Sequence, residues 1–457
     1  MNLLAHRWGR LTAFFLLYIT EGLPLGFAAG AVAVYMKREG VGVDEMGAFL
    51  GALYAPWAFK WAAGPFVDLI GSRRFGRRRV WILGTQAVMI LGLILSSFID
   101  YTAQIQAFTL AMVVVNGFCA VQDVAIDALA VGSLREEERG LGNGLMFAGA
   151  YIGQALGGSG MLYLASRTGS LNVGFYAVAG LVGVIWLITL FLMREPDTGE
   201  DTDPVGLSAV FVEVWKYAKA MWQAVMVRPP RPDGQPHSFR DKLTNPPFMG
   251  FLFAILPASA MAMGLALQAA LAVEVGLADE QIANLGLIGA VGAAGGSVLG
   301  GLISDRTGHR RTLAVYVVLT LLPTAFLAWS MHTHGWILPV PEGVDRVPPA
   351  ALADAFWYST LAYGFFSGLT YGTRMAIFMS LCSREVAATQ FTLYMAMQNL
   401  AISYSSTWQG FSVESWGYPT TLGVDCLLGV ASLSLLPFLV PTPATEQDEV
   451  PEQLQPV

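Results

Sequence analysis

Of the few charged side chains inside long apolar runs of this sequence, Glu21, Lys60, Asp123, Asp127 and Arg374 are the deepest. Each costs about 2.5–3.5 kcal/mol at the centre of a membrane helix unless it is paired or wet, so each needs a partner, a cavity or a task. Asp123 and Asp127 are four residues apart and share one helix face. Two carboxyls that close in a low dielectric repel, and burial disfavours ionisation, so at least one is expected to hold a proton. That is the chemistry of proton coupling; the competing reading is a structural latch to Arg135, Arg139 or a basic loop. Glu21 stands in Thr20-Glu21-Gly22-Leu23-Pro24, where glycine and proline are expected to loosen the helix and free backbone groups for a ligand. A plain bond to neighbouring helices is its alternative. Lys60 and Arg374 are expected to face a central cavity as a cationic pair suited to an anionic substrate, unless the Lys60 stem snorkels to an interface. Gln154, Gln268 and Gln398 add neutral substrate-binding capacity at the same depth, where helix-to-helix contacts are the bland alternative.

Other chemistries find little support. All five histidines, His6, His237, His309, His332 and His334, lie outside the apolar runs, which leaves no buried relay or metal triad. A phosphate-cradling glycine loop ending in Lys-Ser/Thr is missing, which argues against ATP as the direct energy source. The Asp123-x3-Asp127 pair can hold Mg2+ and a pyrophosphate, as in membrane prenyl-transfer enzymes, but such sites need a second acidic cluster in a later span. No cofactor, no metal and no nucleic-acid partner are expected, and the chain reads as something other than an enzyme.

The surrounding sequence explains why these residues are so conspicuous. Hydrophobic residues make up 54% and charged residues 13%, against about 25% charge in an ordinary soluble domain. A bilayer-spanning helix needs about 20 mostly apolar residues. Twelve such runs occur, near 11–36, 46–70, 80–99, 103–131, 140–166, 171–193, 246–275, 281–303, 312–331, 351–383, 386–413 and 417–440. Lys and Arg crowd every second connection, and the alternate connections hold only Lys37, Arg38, Arg167 and Arg346. Both termini are therefore expected in the cytoplasm. The net charge of −7 reflects acidic residues in the 194–203 segment and the 441–457 tail, which bear little on orientation. The first apolar run is too long for a cleaved leader, and Cys119, Cys382 and Cys426, all in or beside runs, are expected to form no disulfide.

Two connections repeat each other. Gly64-Pro65-Phe66-Val67-Asp68 leads to Arg77-Arg78-Arg79, and Gly301-Leu302-Ile303-Ser304-Asp305 leads to Arg310-Arg311. The repeat implies two pseudo-symmetric six-helix bundles, residues 1–193 and 246–440, forming an all-α polytopic membrane protein with a mid-membrane site between the halves. Asp68 and Asp305 are expected to accept bonds from the next helix's N-terminus or to pair with arginine, making them gate elements with Arg77, Arg78, Arg310 and Arg311. Residues 194–245 form a linker whose Val205 to Val227 stretch reads as a surface-lying amphipathic helix, followed by a stiff Pro-rich spacer at 228–232. The acidic 441–457 tail is expected to be disordered.

The turn from Gly300 to Arg311 resembles the signature loop of the major facilitator superfamily. Gly22-Leu23-Pro24-Leu25, Phe75-Gly76-Arg77-Arg78-Arg79 with Thr85-Gln86, Gln122-Asp123 with Asp127, Glu137-Glu138-Arg139-Gly140 and Ala388-Thr389-Gln390-Phe391 resemble the AmpG-type anhydromuropeptide permeases, a branch whose relatives include acetyl-CoA transporters and siderophore importers. The resemblance implies a monomeric, proton-driven secondary transporter in the bacterial inner membrane that imports a large polar or anionic solute such as a muropeptide. It also implies that the paired aspartates of the fourth span carry coupling. The chain departs from that pattern at Gly149-Ala150-Tyr151-Ile152 in the fifth span and in the uncharged seventh span around Pro257 to Met263. Acyl-CoA or siderophore transport, and a non-transporting assembly factor or sensor, stay open as alternatives.

Overall fold

The computed structural model describes residues 2–72, 75–135, 138–195, 207–226, 245–257, 259–264, 266–340, 346–382 and 387–440. Each of the twelve apolar runs is helical. Span 1 is Arg7–Arg38, span 2 combines Val43–Ala58 with Gly64–Leu69, span 3 is Arg77–Ser96, span 4 is Ile105–Ser133 and span 6 is Asn172–Leu192. Span 5 combines Arg139–Ala155 with Met161–Thr168. Span 7 is divided into Pro246–Ile255 and Ala266–Glu274. Span 8 is Asp279–Thr307, span 9 His309–Thr333, span 10 Ala350–Leu381, span 11 Ala387–Trp416 and span 12 Tyr418–Phe438. Among the described residues, seven of these helices are by themselves long and apolar enough to cross a membrane. Leu91, Val291, Leu322 and Leu427 point outward, as side chains facing lipid must.

Pro24 does not break span 1, contrary to the expectation of freed backbone groups. The helix runs through it into a π turn at Ala28–Val32, and Gly22 has a packing task instead. A Cβ on Gly22 would lie 2.1 Å from the Ala150 carbonyl oxygen of span 5, so only glycine lets the two backbones meet.

The halves share one apolar core at one end and keep two cores at the other, where Trp61 of span 2 still packs against the second half. We call the end bearing the 70–76 and 307–309 turns the basic end. At the opposite, far end one apolar cluster crosses both halves, running through Phe27, Phe49 and Phe175 to Phe356 and Trp336. At the basic end each half keeps its own cluster, with Phe14, Ile126 and Ile185 in one and Phe253, Phe378 and Leu393 in the other. The helix Leu207–Met226 lies at the basic end. Its Met221 and Val225 join the second of these clusters, Phe211 meets Phe66 of span 2 edge-on at 6.0 Å, and Trp215 and Trp222 stay exposed. The Pro-rich spacer and the acidic tail fall outside the described residues.

Candidate functional site

The two basic turns share a backbone device. Gly76 and Gly308 adopt left-handed conformations, φ 93° and 91°, immediately before spans 3 and 9. Each turn then sends an arginine to the closing span of its own half. Arg79 donates to the Thr189 and Leu190 carbonyls of span 6, and Arg310 to the Pro437 carbonyl of span 12. The gate expectation needs one correction: the N-terminus of span 3 is met by Glu195, which accepts from Arg78 N–H and Arg79 N–H at 2.9 and 3.2 Å. Asp68 is solvated and takes the other expected course, facing the Arg78 guanidinium at 3.7 Å. Asp305, also solvated, faces His309 at 3.9 Å, and Arg311 is exposed. Nearby, Glu138 forms a bidentate buried pair with Arg10, at 2.6 and 3.0 Å. Its bonds to Arg10 hold the carboxyl below its ordinary value of 4.5.

Four of the five deepest charges, Glu21, Lys60, Asp123 and Asp127, converge in the first half. Lys60 opens the tight turn that divides span 2, with its ammonium 5.7 Å from the Trp57 ring centre and 2.5 Å from Asp123 Oδ2. Tyr18 donates to Asp127 Oδ1 at 2.5 Å. Glu21 lies in the same cluster, and its Oε2 is buried without a hydrogen-bond partner. Two glutamines fix the helices that carry these groups: Gln86 of span 3 and Gln122 of span 4 both donate to Thr20 of span 1. Lys60 is therefore bound to a carboxylate of its own half and does not form a free cationic pair with Arg374.

Arg374 stands across the divide on span 10. Its Nε is buried without a partner, and the Tyr151, Tyr363 and Tyr371 hydroxyls lie within electrostatic reach. A cavity of about 350 Å3 lies between the halves, walled by spans 1, 2 and 5 on one side and spans 7, 8, 10 and 11 on the other. Tyr54, Tyr151 and Tyr363 line it together with Gln154 and Gln268. Gln398 is buried away from this wall, with its Nε2 unpartnered.

The far end of the cavity is shut. Lys37 pairs with Glu274 at 2.7 Å, Arg38 with Asp279 at 2.6 Å and Arg167 with Glu280 at 2.9 Å. Among the described residues, the ion pairs that join the halves lie at this end. Glu274 also accepts from Tyr418 Oη and Trp336 Nε1, so its buried charge meets three donors. Sequence reasoning missed Glu274 and Glu195, because an acid near a helix end carries no local sign of a partner in the other half or beyond the next turn.

The model of the Major Facilitator Superfamily matches residues 12–406. The chain is 26% identical over 436 residues to the anhydromuropeptide permease of Escherichia coli (strain K12), covering 93% of this chain and 79% of that protein. Among solved structures it is similar to a D-xylose–proton symporter, with a TM-score of 0.67 at 13% identity, covering 94% of this chain and 97% of that one. An inward-open form of the Escherichia coli xylose transporter also matches, with a TM-score of 0.67 at 13% identity over 96% and 97% of the two chains.

Proposed function

Since the chain belongs to the Major Facilitator Superfamily, we propose that it is a proton-coupled importer of a large polar solute of the anhydromuropeptide class, working by alternating access. It is a secondary transporter and a multi-span membrane protein, not an enzyme. The observation that carries the coupling is the charge balance of the buried cluster in the first half. Glu21, Asp123 and Asp127 face one ammonium, Lys60, so the cluster holds more acid than fixed positive charge in a place where uncompensated charge is costly. Protons supply the balance, and Asp127, held by a neutral tyrosine rather than a cation, is the group to exchange them.

On this reading the basic end is cytoplasmic, which the distribution of Lys and Arg supports. The far-end ion pairs and the joined apolar cluster then describe a state closed to the outside. Residues 1–193 and 246–440 rock about the cavity, with the basic turns at the inner gate. The tyrosines and glutamines of the wall meet the body of the cargo, and Arg374, within electrostatic reach of Tyr151 and Tyr363 but not itself part of that wall, draws its anionic group. The muropeptide class is drawn from the similarity to the Escherichia coli permease.

A thermal-shift screen of purified protein against anhydromuropeptides, acyl-CoAs and siderophores tests the cargo. Stabilisation by the first class alone, followed by its counterflow in proteoliposomes, is the expected result. Binding without counterflow would instead assign the protein to sensing or assembly.

A further inference from the structure

Span 7 is interrupted between Ile255 and Ala266, and Met263, Gly264 and Gln268, at and after the interruption, wall the second half's side of the cavity. Irregular backbone at this depth is tolerated only where protein or a wet cavity meets its polar groups. Two of those groups, Met261 N–H and Ala262 N–H, donate to one oxygen of Asp425 on span 12 at 2.7 and 2.9 Å. The other oxygen accepts from Gln409 Nε2 of span 11 at 2.9 Å. Asp425 is fully buried and forms no ion pair among the described residues. One turn along span 12, Gly429 lets the helix touch the interruption: a Cβ there would lie 3.0 Å from the Ser259 carbonyl carbon and 3.1 Å from Ala260 N. On the cavity side, Gly264 is pressed against Tyr363, whose ring would stand 2.8 Å from a Cβ.

We propose that Asp425 is a positioning residue for the cargo site: its carboxylate holds the broken segment of span 7 so that Met263, Gly264 and Gln268 stand against the cavity. Both carboxylate oxygens accept from N–H donors on two other elements, so the side chain acts as a fixed acceptor and does not touch cargo. This rests on the reading of the cavity as the cargo site, but the placement itself can be measured without any cargo.

The experiment replaces Cys119, Cys382 and Cys426 by alanine, introduces Gln268→Cys as a reporter, and follows labelling by a small water-soluble methanethiosulfonate in nanodiscs. Asp425→Asn should label at the parent rate. Its amide oxygen still accepts the two backbone N–H groups, and Gln409, whose Oε1 is now buried without a partner, can turn its amide to accept the new N–H. Asp425→Ala should shift the rate by about tenfold or more, because the segment loses both of its bonds to the carboxylate. If that variant does not fold, Gly429→Ala, which pushes span 12 off the interruption, should shift the rate in its place. Parent-like labelling of Asp425→Ala or Gly429→Ala overturns the proposal. So does an Asp425→Asn protein that shifts like Asp425→Ala or fails to fold, because the charge would then matter rather than the acceptor geometry.

Discussion

Lys60 and Asp123 form a 2.5 Å ion pair within the first half, so the membrane-deep lysine is held by an acid of its own half rather than presented to cargo. Both side chains are largely buried, and their values differ sharply depending on whether one or both are removed. Lys60→Met alone should cost about 3–5 kcal/mol, because it strands a buried carboxylate. The Lys60→Met, Asp123→Leu double variant should recover most of that loss. Denaturant or thermal unfolding in a fixed detergent checks the cycle, and additive single losses would mean that the pair is not coupled.

Arg374 has the opposite character, a half-buried cation whose Nε is buried and which has no carboxylate partner among the described residues. Arg374→Gln should therefore leave folding intact and weaken cargo binding by about 10–100-fold, the size of a lost bond to a charged group. A binding isotherm on purified protein reads this directly, and an unchanged isotherm would remove Arg374 from the site.

Closure at the far end depends on Gly47 of span 2 meeting Gly410 of span 11. A Cβ on Gly47 would lie 2.6 Å from the Ser406 carbonyl oxygen and 2.8 Å from Gly410 Cα, so a branched side chain there has no room. Gly47→Val should hold the far end open. Cysteines placed at Lys37 and Glu274 should then lose their ability to cross-link, while the protein remains monodisperse.

Glu138 gives a pH signature outside the spans. Its carboxyl is held below the ordinary value of 4.5 by Arg10, so the pair adds stability that is fully present above that value and lost as pH falls through the lowered one. The melting temperature of the wild type should exceed that of Glu138→Gln at neutral pH, and the gap should close in acid. A gap independent of pH would assign the effect to packing.

The architecture was legible in the sequence because spanning a membrane imposes composition: the twelve apolar runs are local signals and each is helical, although the seventh is interrupted, whereas the two Gly-x3-Asp stretches read as turns and are the helical ends that precede them. The charges in the runs were equally visible, but their partners were not. Asp123 meets Lys60 across 63 residues and Asp425 meets Met261 across 164, separations over which the chain leaves no pattern. Gly22 looked like a loosened backbone and is a packing contact with span 5, because a glycine's use depends on what lies opposite it. The interruption of span 7 was hidden for a related reason: the 246–275 run is uncharged as far as Glu274, and the acid that satisfies its free N–H groups sits on span 12.

Proton coupling through Asp127 is the central claim, and uptake of a labelled anhydromuropeptide into proteoliposomes under an imposed pH gradient tests it most directly. The wild type should accumulate cargo above equilibrium and lose that accumulation with a protonophore, while Asp127→Asn should still exchange cargo without a gradient but fail to concentrate it. Gradient-driven accumulation by Asp127→Asn at the wild-type level would contradict the account.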